Sequence, residues 1–382
     1  MVKNSIKIFS VILLMGILQQ IGHAQTAEAE IDIQHLMKQY EAVGLSVAVV
    51  KHNQVIYTHS FGLKDLENGI PLTDRDIFRI ASISKSFSAT SIMQLIHAGK
   101  LSLEDDVSDL LGFKVRNPKY PDKKITLKMI LSHRSSINDS QGYFTLDAIN
   151  PSKNPNWAKC YNDYEPDNGY QYCNLNFNIV GTILEITSGE RFDQYVKHHV
   201  LDPLGLYGGY CVDSLDQTRF VNLYEYNDST KQFSKAADAY KPNQEIIRNY
   251  KMGYNTPVFS PTGGMKISAT DLARYMIMHM NYGKANGISI MPKKYAKLMQ
   301  KQISNTAEGY GMAMMNFYDL VPGEHMVGHS GNAYGLYSSM FFEPKMKFGI
   351  VVITNGCHTG YTGEYNNFTR AVLNSLYNHL IK

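Results

Sequence analysis

Ser82 and Lys85 stand three residues apart in the run Ala81-Ser82-Ile83-Ser84-Lys85-Ser86-Phe87. If this run opens a helix, that spacing stacks both side chains on one face, and the amine can touch the hydroxyl. A serine at its own pKa is a poor nucleophile and needs a neighbouring base or cation; a helix N-terminus adds donors and positive potential for a developing oxyanion. Ser-x-x-Lys by itself is weak, because a lone match is more often a helix cap followed by a surface lysine.

Two further groups strengthen it. In the extended segment Tyr172-Cys173-Asn174 alternate side chains share a side, so Tyr172 and Asn174 face one way while Cys173 points away. A tyrosine beside a lysine ammonium has a lowered pKa and is suited to take the serine proton and pass it to a leaving group. Asn174 can hydrogen-bond a substrate amide. The third group, His329-Ser330-Gly331 followed by Asn332, offers a strand whose glycine would let a substrate backbone lie close. The amides of Ser82 and Asn332 form a candidate oxyanion hole. His325 and His329 lie four apart, but no carboxylate or further histidine sits at ligand spacing, so no metal and no cofactor is expected. The adjacent His198 and His199 are read as solvated.

These groups need elements to hold them. Ile33, Leu36, Met37 and Tyr40 recur at helical spacing, with Gly44 as a stop. Leu45 to Val50 and Val55 to Phe61 read as a hairpin turning through Lys51-His52-Asn53-Gln54. The other end mirrors this, with strands Tyr337 to Phe342 and Phe348 to Thr354 and then a helical pattern from Phe368 to Ile381. Between the ends, helical patterns run over Ser84 to His97, Leu127 to Ser132, Phe177 to Thr187 and Ala269 to Met280. Two irregular stretches, Asn138 to Tyr172 and Tyr207 to Pro261, exceed the ~15 residues at which structureless connections become uncommon. Their tyrosines and Trp157 argue for loops that frame a site rather than for disorder.

Composition bounds the rest. At 382 residues with 44% hydrophobic and 19% charged residues, the chain can bury a sizeable core. A basic start at Lys3 and Lys7, an apolar run from Ile8 to Leu18 and the small-residue context Gly22-His23-Ala24 read as a signal peptide over residues 1–24, cleaved after Ala24. The apolar run is shorter than the ~20 residues of a spanning helix. No acidic residue precedes Glu28, so removing Lys3 and Lys7 brings the formal charge of +3 close to neutrality and leaves no general attraction for nucleic acid or anionic lipid. Cys160, Cys173, Cys211 and Cys357 in an exported chain permit one or two disulfides, and Cys160 with Cys173 is the first pair to test.

The three groups, in this order, resemble the serine β-lactamase and penicillin-binding-protein superfamily, in the branch around class C β-lactamases and D-stereospecific peptidases. Phe78-Arg79-Ile80-Ala81, Leu131-Ser132-His133, Val180-Gly181, Asp202-Pro203-Leu204-Gly205-Leu206 and Pro261-Thr262-Gly263-Gly264-Met265 carry the resemblance over nearly the whole mature chain. It implies an α/β fold, an antiparallel sheet flanked by N- and C-terminal helices, built from about 25–98 and 318–382. A mostly helical part, about 99–317, is inserted, and the whole of 25–382 forms one hydrolase domain with its site in the cleft. It also implies Ser82 as nucleophile, Lys85 as its activator and Tyr172 as general acid/base. Asn174, His329, Ser330, Gly331 and Asn332 then line the substrate.

His329 departs from the lysine that class C enzymes place there. A histidine of ordinary pKa is mostly neutral at pH 7 and offers a hydrogen bond in place of a permanent charge. The expectation is therefore a periplasmic or secreted acyl-serine peptidase or amidase, with a carboxylesterase and a weak β-lactamase as rivals and a non-catalytic muropeptide-binding protein as the rival of another class. Its expected partner is a small peptide, amide or ester; neither nucleic acid nor stable membrane insertion is expected, and oligomeric state is left open. His133, followed by Arg134-Ser135-Ser136, is read as structural.

Overall fold

The structure, a computed structural model, describes residues 24–382 apart from 243, 305–308, 359 and 364; all but the last residue of the expected leader lies outside the described residues. A seven-stranded sheet is drawn from both ends of the chain. Its order is Met315–Phe317, Met326–Ala333, Leu336–Glu343, Phe348–Thr354, Gly44–Lys51, Gln54–Asp65 and Ile70–Pro71, with every neighbouring pair antiparallel. The first hairpin turns where His52 and Asn53 both take positive φ, 51° and 65°, the twist that suits a two-residue connection.

Alternation along the strands gives the sheet two apolar faces. Leu45, Val47 and Val49 meet Ile33, Phe368, Val372 and Leu376 of the terminal helices. Ala48 and Val50 belong to the larger core on the other side, with Leu272 and Met276. The helix Ala269–Met280, capped by Ser268 Oγ on Asp271 N at 3.1 Å, lies against that second face. Asn366 caps the last helix in the same way, accepting from Thr369 N at 3.0 Å.

The helix Ser84–His97 runs through the larger core and is buried over nearly its whole length, so its sequence is only weakly amphipathic. It packs on Asn174–Ser188, a helix longer at its start than the apolar pattern from Phe177 indicated. The irregular stretches are folded onto this core: Ile137, Leu146, Ile149, Cys160 and Tyr161 are buried in it.

All four cysteines are buried free thiols, so none of the pairings their number permits is formed, Cys160 with Cys173 included. The two thiols are committed elsewhere: Cys160 Sγ donates to Ala148 O at 3.3 Å and Cys173 Sγ to Asp139 Oδ1 at 3.1 Å.

Candidate active site

Three segments converge at the edge of the sheet. Ser82 lies in a tight turn, Ala81–Ile83, that runs straight into the Ser84–His97 helix. Ala81 has φ 47°, a conformation an alanine rarely adopts. It is held by its surroundings: Ile80 N donates to Met265 O at 2.9 Å, and Ser84 Oγ donates to Ala81 O while accepting from Met265 N at 3.0 Å. The turn is thus pinned to the segment around Met265 before any substrate arrives.

Lys85 Nζ is 3.0 Å from Ser82 Oγ, 2.9 Å from Asn174 Oδ1 and 3.0 Å from Thr262 O. The ammonium is fully buried, lies 4.8 Å from the centre of the Tyr172 ring, and burial pulls its pKa down to about 7, with the charge of Asp139 acting the other way. Near neutrality a large share of Lys85 is a free amine with a lone pair facing a serine hydroxyl.

Cys173 is extended, as expected, whereas Asn174 is already the first residue of the Asn174–Ser188 helix. Cys173 is turned into the core while Tyr172 and Asn174 face the cleft. No side chain within the helix's own first residues caps it. Asp139 does so from a distance, accepting from Asn174 N at 2.8 Å, Leu175 N at 3.0 Å and Asn174 Nδ2 at 3.1 Å. Asn174 Oδ1 is thereby aimed at Lys85 and also accepts from Thr262 Oγ1 at 2.9 Å. Neither Asp139 nor Thr262 carries a site signal in the sequence: one is an aspartate in a long irregular stretch and the other sits in a segment that shows only the family resemblance.

The third segment is the strand Met326–Ala333. His329 is buried; its Nδ1 donates to Ser330 O at 2.6 Å, so its Nε2 accepts from Tyr310 OH at 3.1 Å. Burial, then nearby Lys85, push its pKa to about 3, which keeps the ring neutral across the physiological range. Gly331 is forced by packing: a Cβ there would fall 2.5 Å from Ile80 O and 2.5 Å from Ser338 Oγ. The glycine expected to admit a substrate backbone is thus needed first to let the strand reach the Ser82 turn. Asn332 Nδ2 donates to Tyr361 OH at 2.7 Å, and Ser330 Oγ points to Met315 Sδ.

Tyr310 and His133 complete the wall behind Tyr172. The ring centre of His133 lies 4.4 Å from that of Tyr172 and 5.0 Å from that of Tyr310. His133 Nδ1 accepts from Cys173 N at 3.1 Å, which leaves the proton on Nε2, and burial holds the ring neutral. The sequence points to a structural His133, and its bond is indeed to backbone, but the backbone it holds is the Tyr172 segment. Tyr310 carried no sequence signal of its own.

Ser82, Tyr172, Asn174, His329, Ser330, Gly331 and Asn332 all line one open cleft of about 710 Å³, with Arg79, Thr262 and Tyr334. Lys85 lies beneath it. A hydroxyl, a partly neutral amine, a phenol and polar groups on a strand edge together have the parts for acyl transfer through a covalent ester.

The beta-lactamase family model matches residues 31–374. Protein flp of Staphylococcus aureus strain MW2 is 25% identical over 340 residues, which cover 85% of this chain and 61% of that protein. The chain therefore spans less than two thirds of the length of the staphylococcal relatives it matches. Among solved structures, EstCE1, described as a hydrolase with promiscuous acyltransferase activity, superposes with a TM-score of 0.73 at 21% identity, covering 93% of this chain and 99% of the other. The D-amino acid amidase of Ochrobactrum anthropi SV3 superposes with a TM-score of 0.68 at 18% identity, covering 92% and 99%. At these identities the two likenesses speak to the fold.

Proposed function

The chain belongs to the beta-lactamase family, and from that premise we propose that it is an exported serine hydrolase forming an acyl-enzyme on Ser82, with peptides or amides as substrates. The observation that carries the proposal is the fully buried Lys85 amine 3.0 Å from Ser82 Oγ with its pKa drawn to about 7. Lys85 and Tyr172 handle the serine proton as one coupled unit. As the proton leaves, Ser82 Oγ bonds to the substrate carbonyl carbon. The carbonyl oxygen takes the negative charge and is stabilised by the amides of Ser82 and Asn332. Tyr172 passes the proton to the leaving nitrogen as the C–N bond breaks, and water then cleaves the ester. Asn174 and the strand from His329 to Asn332 hold the substrate.

An amide reading is favoured over β-lactam hydrolysis because the third motif supplies a neutral, buried imidazole where class C enzymes carry a lysine charge. The likeness to the D-amino acid amidase supports the same reading, and the likeness to EstCE1 supports an esterase as the second one. Export rests on the residues ahead of Gln25, and N-terminal sequencing of the mature protein checks it.

Labelling with a fluorophosphonate probe and mapping the adduct by mass spectrometry tests the nucleophile. The expected adduct is on Ser82 and is lost in Ser82→Ala; equal labelling of the two proteins overturns the assignment. A panel of D-amino-acid peptides, short-chain esters and a chromogenic cephalosporin then ranks the activities, and no turnover anywhere on it favours a muropeptide-binding role.

A further inference from the structure

A second chamber of about 320 Å³ opens beside the cleft and shares Arg79, Phe144, Ser260 and Tyr334 with it. Its floor is a small antiparallel sheet in which Phe78–Arg79 and Gly208–Gly209 flank Lys266–Ile267. Arg79 and Lys266 are directly opposite each other in that ladder. Opposed residues project from the same face with Cβ atoms about 5 Å apart, and like charges so placed repel. Both side chains line the chamber.

Among the described residues no carboxylate pairs with either cation. Lys266 is 3% exposed, and its Nζ donates to Tyr210 O at 2.6 Å, one of three donors in use. Arg79 donates from Nε to Gly263 O at 2.9 Å and from Nη1 to Ala239 O at 3.3 Å, with its guanidinium 4.9 Å from the centre of the Tyr334 ring. These partners are neutral. Among the described residues neither cation enters an ion pair; Asp193 and Asp213 influence Lys266 only at longer range, and Asp193 is held by Arg191 at 2.6 Å. Burial, then Arg79, draw the Lys266 ammonium down to about 7, a penalty that an anion in the chamber would reverse. Of the other charged groups lining the chamber, Asp238 and Lys241 are exposed and opposite in sign. A core lysine facing an arginine is a poor way to fill space, since an apolar side chain would do so without the repulsion.

We propose that this chamber is an anion subsite in which Arg79 and Lys266 together hold a carboxylate, or another anionic group, carried by the substrate of Ser82. The substrate class narrows to acyl compounds with an anionic group a short distance from the scissile bond. This narrowing rests on the reading of Ser82 as nucleophile, whereas the binding itself does not.

The test is made in Ser82→Ala, which turns over nothing and keeps the chamber. Glutarate, glycerol phosphate and the neutral glutaramide are titrated by calorimetry, with thermal shift as a second readout. Glutarate is expected to bind at least tenfold more tightly than glutaramide, and Lys266→Met or Arg79→Gln in the same background is expected to abolish the difference. Glycerol phosphate binding in place of glutarate also supports the subsite and identifies its group as a phosphate. Equal binding of all three compounds overturns the proposal, as does a preference for anions that survives both substitutions. Should Lys266→Met fail to fold, Arg79→Gln and the comparison within Ser82→Ala still decide. A failure of Ser82 to label leaves this binding result untouched.

Discussion

Asp139 accepts both the backbone N–H and the side-chain amide of Asn174, at 2.8 and 3.1 Å. One carboxylate thus starts a helix, fixes the Asn174 carbonyl oxygen toward Lys85, and lends negative charge to the neighbourhood of that amine. Capping and pKa control are usually described separately; here they come from the same two oxygens.

The activity–pH profile follows. On the proposed mechanism the Lys85–Tyr172 unit can take the Ser82 proton only with Lys85 neutral, so kcat/KM on an uncharged substrate should rise with pH through an apparent pKa of about 7. Asp139 raises the Lys85 pKa, so Asp139→Asn should move this limb to lower pH while also lowering the maximum rate through the misplaced Asn174. A limb that stays put or moves upward would separate Asp139 from Lys85.

Ser82→Ala should reduce covalent labelling to background. Lys85→Ala and Tyr172→Phe should each lower kcat/KM by about a thousandfold or more, and the double variant should be little worse than either. Losses that multiply would mean that Lys85 and Tyr172 act independently.

Gly331→Ala places a methyl against the Ile80 carbonyl and Ser338 Oγ. Overpacking of this kind costs about 1–3 kcal/mol, read as a lower denaturation midpoint. Because the Ile80 carbonyl leads into the Ser82 turn and accepts from Ser338 Oγ at 2.9 Å, the rate of labelling should fall at temperatures where the variant is still folded. Normal labelling by a destabilised variant would confine Gly331 to a packing role.

Tyr310→Phe removes the donor to His329 Nε2 and leaves a buried acceptor unpaired, at about 1–3 kcal/mol. His329→Lys instead sets a second cation near Lys85. It should lower the apparent pKa of the rising limb and shift preference toward carboxylate-bearing substrates. A selectivity profile identical to wild type would remove His329 from substrate choice.

Contacts governed by short-range periodicity were legible in the chain. Three residues of helix bring Lys85 to Ser82, period two separates Cys173 from Tyr172 and Asn174, and alternating apolar runs define the two terminal hairpins. The Asn174–Ser188 helix starts earlier than its apolar pattern because its cap comes from Asp139, 35 residues upstream. The same separation hid Thr262, whose carbonyl meets Lys85 across 177 residues, and the opposition of Arg79 to Lys266, which exists only once two short strands pair. The state of the cysteines was hidden for a related reason, since Ala148 and Asp139, which accept from the Cys160 and Cys173 thiols, are brought to them by the path of the loop that precedes Cys160. The sequence by itself determined which groups can do chemistry and which lie on one face. Tertiary structure decided their charge: a lysine drawn to about 7 and a histidine to about 3 are consequences of lost water, and burial is set by the whole fold.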